Sequence, residues 1–172
     1  MTRHKIWNIA NTRVRVSFKG HTSIVSAVDF SPDGRFLVSA SWDCTVRLWR
    51  IRDGTSKKLS DDASFFDSVV FSPLGRYVIS GNNDGFVRIW NACTLKLAEK
   101  WKGDAGIVWC VNLANDGERL DGLVTGGDDM TLKYWDASSF RDLDTRSMEE
   151  KKEILRFEGH TVRFPRGPRP VC

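Results

Sequence analysis

The sequence predicts an all-β protein of stacked four-stranded antiparallel blades, about three complete ones plus a half blade at the N-terminus, and three observations carry that expectation. Four tryptophans that end alternating apolar runs, Trp7, Trp49, Trp90 and Trp135, stand 42, 41 and 45 residues apart, a period that points to propeller blades. A hairpin-like phrase recurs at 38–49, 78–90 and 124–135, each time with an Asp six positions before the Trp: Asp43, Asp84 and Asp129. Turn clusters, Ser31-Pro32-Asp33-Gly34, Ser72-Pro73-Leu74-Gly75 and Asn115-Asp116-Gly117, fall at matching places between the runs.

Each copy divides in the same way. Before Trp7 the repeat is incomplete, because Met1 occupies the place of the turn Asp, so residues 1–19 are expected to be the outer strands of a preceding blade. Residues 20–60 make the first full unit, with strands around 25–30, 36–41 and 45–49. Residues 61–102 make the second, and 103–158 the third, lengthened by three residues between Gly117 and Thr125 and by a polar insert at 137–152. The insert's opposite charges at i, i+3 spacing suit either a solvated rim loop or a short helical arm for a partner. Phe18, Leu59, Trp101 and Phe157 hold one equivalent position and are expected to fill the outer strands. Val28 and Phe30, Val69 and Phe71, and Val111 and Leu113 are expected to fill the inner ones. A single blade of this kind is a small sheet with two apolar faces, so it has to stack on a neighbour.

Composition limits the function classes. A chain of 172 residues can bury roughly 70% of the surface its unfolded form exposes. Twenty-six Lys and Arg against 22 Asp and Glu give a formal charge of +4, scattered through the body, which is no footprint for nucleic acid. The four cysteines, 44, 93, 110 and 172, have no CxxC spacing or companion histidines, so no metal site or cofactor is expected and free thiols are. No apolar run reaches a membrane span's length and no signal peptide is visible, which predicts an intracellular, soluble protein with no membrane partner.

Gly20-His21, Gly159-His160, the Ser-Pro-Asp-Gly turn, the Asp six before Trp and the pair Trp135-Asp136 together resemble the WD40-repeat family over about residues 3–160. The resemblance implies a β-propeller fragment. It also implies that His21, Ser39, Asp43 and Trp49 form a buried hydrogen-bonded chain, despite their look of a catalytic set, since such a network must be satisfied internally and rigidifies the blade. The matching residues are Ser80, Asp84 and Trp90 in the second copy, and Thr125, Asp129 and Trp135 in the third. There the His place holds Asp62 and Asp104, and paired carboxylates are expected to repel and to hold those blades less tightly. No phosphate-binding loop, GxSxG or metal-ligand pair accompanies them, so no catalytic residue is expected.

The resemblance implies a platform for protein partners. Its contact positions fall on Ile24, Ser26 and Trp42, on Phe65, Asp67 and Asn83, and on Ile107, Trp109 and Asp128. Trp42 and Trp109 are either exposed anchors or packed on neighbouring loops. Phrases such as Ser31-Pro32-Asp33-Gly34-Arg35-Phe36 and Thr131-Leu132-Lys133-Tyr134-Trp135-Asp136 are similar to fungal Tup-type transcriptional corepressors, which would imply a nuclear role. A general WD40 adaptor of the ubiquitin-ligase or G-protein-β-like kind, or a non-functional gene fragment, is the alternative. Residues 159–172 open a fourth unit but carry prolines where strands need donors, and are expected to be a truncated, basic end. An arc of this size leaves sheet edges open, through which it could self-associate.

Overall fold

The computed structural model describes residues 3–8, 10, 13–61, 63–115, 120–136 and 153–158. Strands β1 (Arg3–Asn8) and β2 (Arg13–Lys19) form a two-stranded sheet. The first full blade is β3 (Val25–Phe30), β4 (Phe36–Ser41), β5 (Thr45–Arg50) and β6 (Ser56–Asp61) in that order. The second is β7 (Phe66–Phe71), β8 (Tyr77–Asn82), β9 (Phe86–Asn91) and β10 (Leu97–Lys102). The third is β11 (Val108–Asn115), β12 (Leu120–Gly127), β13 (Thr131–Asp136) and β14 (Glu153–Glu158). Every neighbouring pair is antiparallel and sequential, a meander joined by short connections except between β13 and β14, where residues 137–152 intervene. The fold is thus a partial β-propeller. The insert 137–152, the tail 159–172 and Asp62 lie outside the described residues.

The core sits between blades. Val38, Ala40, Val46 and Leu48 of the first blade meet Val69, Phe71, Val78 and Trp90 of the second. Ile79, Val87 and Ile89 then meet Val108, Val111, Leu123 and Trp135 of the third. Alternation along each strand is what lets one blade serve both seams. Backbone donors cross these seams too: Phe71 N–H donates to the Asp29 carboxylate at 2.8 Å, and Val111 N–H to Ser68 Oγ at 3.1 Å.

Two expectations need correction. Val28 and Phe30 are 53% and 50% exposed, although their counterparts Val69 and Phe71 are buried. The β1–β2 sheet covers only the outer part of the first blade, where Phe18 packs on Leu37 and Trp49, and no strand among the described residues lies over the inner part. The expected set of free thiols also fails, since Cys44 is disulfide-bonded while Cys93 and Cys110 are free.

A β-bulge recurs at one place in all three blades. Pairing skips from Val25 to Ala27, from Phe66 to Ser68 and from Val108 to Cys110, which leaves Ser26, Asp67 and Trp109 as the extra residues. A bulge bends its strand and re-aims the side chain it carries. Among the described residues no helix is long and apolar enough to cross a membrane.

Candidate functional site

Beneath the loop end of the first blade, His21, Ser39, Asp43 and Trp49 are brought together by four separate segments of the repeat. Trp49 Nε1–H donates to Ser39 Oγ at 2.8 Å, and Ser39 Oγ lies 2.6 Å from His21 Nε2. His21 Nδ1 lies 2.8 Å from Asp43 Oδ2. An ionised carboxylate only accepts, so Nδ1 carries the proton and donates it. Thr45 Oγ1 and Thr22 N–H also donate to Asp43, at 2.6 and 2.9 Å. Burial pushes the Asp43 carboxyl up, but the bonds from Thr45, Thr22 and His21 outweigh it and hold it below the usual carboxylate range. His21 and Ser39 are wholly buried, so the hydroxyl meets protein on all sides.

The other blades solve the same problem with a cation. In the second, Trp90 Nε1–H still donates to Ser80 Oγ at 3.3 Å, while Arg88 forks onto Asp84 at 3.1 and 2.6 Å. In the third, Trp135 Nε1–H donates to Thr125 Oγ1 at 3.0 Å. There Lys133, buried, reaches Asp129 and, at 3.3 Å, Asp104. Burial and the nearby Asp129 raise the Asp104 carboxyl. For Asp129 burial acts upward, yet Lys133 and Thr131 win and lower it strongly. Gly127 makes room, since a Cβ there would fall 1.8 Å from Asp104 Oδ2. Sequence reasoning passed over these cations although a signal was present: Lys5, Arg47, Arg88 and Lys133 each stand two residues before the repeat Trp.

Above the network the nine expected contact positions converge on one end of the blades. Trp42, Asn83 and Asp128 donate their backbone N–H to the carbonyls of Ile24, Phe65 and Ile107 at 2.9, 3.0 and 3.0 Å. These three bonds close the loops in one pattern, and the bulge residues Ser26, Asp67 and Trp109 project beside them. Two of the bulge positions tie blades together. Ser26 Oγ donates to Phe66 O at 2.6 Å, and Trp42 Nε1–H donates to Asp67 Oδ1 at 3.1 Å with its ring 6.2 Å from that of Phe65. Phe65 is buried accordingly, whereas Ile24, Trp109 and Met130 remain 53%, 39% and 42% exposed. Among the described residues no group of three or more His, Cys, Asp or Glu could hold a metal ion.

The description "WD domain, G-beta repeat" matches residues 12–50, 58–91 and 95–136, more than half of the chain. The chain is similar to ribosome assembly protein 4 of Saccharomyces cerevisiae, 46% identical over 50 residues, 28% of this chain and 10% of that protein. It is similar to autophagy-related protein 16 of Arabidopsis thaliana, 34% identical over 145 residues, 84% of this chain and 26% of that protein. With protein groucho of Drosophila melanogaster it shares 37% identity over 59 residues, 34% of this chain and 8% of that protein. The chain therefore spans about a quarter or less of the length of these relatives.

Proposed function

The chain belongs to the WD40 repeat family, and on that premise we propose that it is a non-catalytic scaffold that holds other proteins on its loop face. The observation that carries this reading is the exposure of Ile24, Trp109 and Met130 on one rigid end, above residues fully spent in hydrogen bonds. Large apolar side chains held at fixed turns serve as anchors for a partner, because their ordering cost is already met by the fold. His21, Ser39 and Asp43 act structurally: a nucleophile needs open access to substrate, and theirs is closed. An Ile24→Ala, Trp109→Ala double variant with an unchanged melting temperature is expected to lose partners in cross-linking mass spectrometry. Retention of every partner removes the reading.

The finer assignment, to a corepressor of the Tup type acting in the nucleus, is supported by the phrases at 31–36 and 131–136 and by the partial likeness to protein groucho. Co-purification with DNA-bound repressors and chromatin factors is the expected outcome. Cullin components in their place would assign a ubiquitin-ligase adaptor instead. Self-association through the open blade edges is a further part of the reading, supported by the exposure of Val28 and Phe30 on the first blade and checked by sedimentation.

A further inference from the structure

The blades also carry a cleft at the end opposite the loop face. It has a volume of about 390 Å³ and opens between the turns of the first two blades. That lies within the roughly 300–1,000 Å³ of pockets that bind ligands. Its floor is Leu48 and Phe71, both buried, beside the half-buried Phe36.

The two turns that flank it differ in one residue. In the first blade Asp33 accepts from Ser31 Oγ at 2.6 Å and from Arg35 N–H at 3.0 Å, bonds that cap the turn. In the second blade the same place is Leu74, which can accept nothing and stands 61% exposed on the cleft wall. Local turn chemistry is given up there for an apolar surface, the kind of broken rule that marks a contact site.

Charge at the mouth selects the occupant. Lys57 lines the cleft, is exposed and has no carboxylate partner among the described residues. Arg50 lies beside it, 3.3 Å from Asp53. Asp33, the one acid lining the cleft among the described residues, is already engaged by its own turn. We propose that this cleft binds a short extended peptide of another protein, one apolar side chain entering beside Leu74 and a flanking acidic residue meeting Lys57. The site is separate from the loop face, so either can fail without the other.

Cys93, a free and exposed thiol on the cleft wall, supplies the readout, and Cys110, free and exposed on another blade, is the internal control. The full chain is treated with iodoacetamide and the alkylation of both thiols is followed by mass spectrometry. The probes are acetylated hexapeptides with Leu, Phe or Trp between two Asp residues, and the same set with Lys in place of Asp. The acidic set is expected to slow Cys93 alkylation at least tenfold, with Cys110 unchanged and the Lys set inert. Leu74→Asp, which copies the turn of the first blade, is expected to fold normally and to abolish the protection, while Lys57→Glu shifts it to the Lys set. Equal rates with both sets, or protection that survives Leu74→Asp, overturns the proposal. Protection that rises with protein concentration alone also overturns it, and assigns the cleft to a second copy of the chain.

Discussion

The indole N–H of Trp42 in the first blade donates to the Asp67 carboxylate in the second at 3.1 Å, so a turn residue of one repeat is fastened to the bulge residue of the next. Both groups are largely withdrawn from water, and a hydrogen bond to a charged group in such a place contributes about 1.5–3 kcal/mol. A double-mutant cycle with Trp42→Phe and Asp67→Ala is expected to return a coupling of about 1–2 kcal/mol in urea unfolding. Additive losses would mean that this hydrogen bond adds nothing to a seam already held by the apolar cluster and by the Ser26 and Asp29 bonds.

His21 closes the first blade by meeting Ser39 and Asp43 at once. His21→Ala is expected to lower stability by about 2–4 kcal/mol, since two buried polar groups lose a partner. Asp43 gives this a pH dependence. Its folded pKa is depressed, so its contribution is present above the unfolded carboxylate value of about 3.9 and is lost as pH falls through the folded value. The stability gap between wild type and Asp43→Asn should therefore narrow as the pH is taken below about 4.

The period of the strand-ending tryptophans makes the blades legible in the sequence, and alternation places most of the core. Equivalence by repeat does not, however, say whether a neighbour is present. Phe30 and Phe71 hold the same position, yet the first is 50% and the second 6% exposed, because only the second faces a four-stranded blade. Phe71→Ala is expected to cost about 3–5 kcal/mol and Phe30→Ala less than about 1. Equal melting shifts in the two variants would show that something covers Phe30. The cations of the network were missed for another reason. Arg88 and Lys133 read as ordinary solvated charges in an alternating strand, and only the turn Asp four residues earlier, Asp84 or Asp129, draws them inward.

Asp104 and Asp129 share Lys133, but the pKa of the first is raised and that of the second lowered. The folded pKa of Asp104 is raised, so the folded state binds its proton more readily and stability falls as pH rises through that window. Asp129 is the reverse: its contribution is present at neutral pH and is lost only in strong acid. Asp104→Asn is therefore expected to be neutral or stabilising at pH 7, and Asp129→Asn to be destabilising there. Thermal melts of both variants from pH 3 to 7 check the signs. A loss on Asp104→Asn equal to that on Asp129→Asn would show that Lys133 depends equally on both carboxylates.

The turn after β4, β8 and β12 demands a left-handed residue, and the three blades meet that demand unequally. Cys44, Gly85 and Met130 have φ of 66°, 79° and 64°, and only Gly85 suits the region without strain. A Cβ on Gly85 would also lie 2.3 Å from the Gly106 carbonyl oxygen, so Gly85→Ala is expected to cost more than about 2 kcal/mol. Met130 loses little burial on truncation, being 42% exposed, so Met130→Gly is expected to gain about 0.5–1 kcal/mol. A strained methionine held open on the loop face has a cost that partner contact would justify. Met130→Gly should then melt higher and hold its partners less well, and a variant that gains stability while keeping every partner would take Met130 out of the binding face.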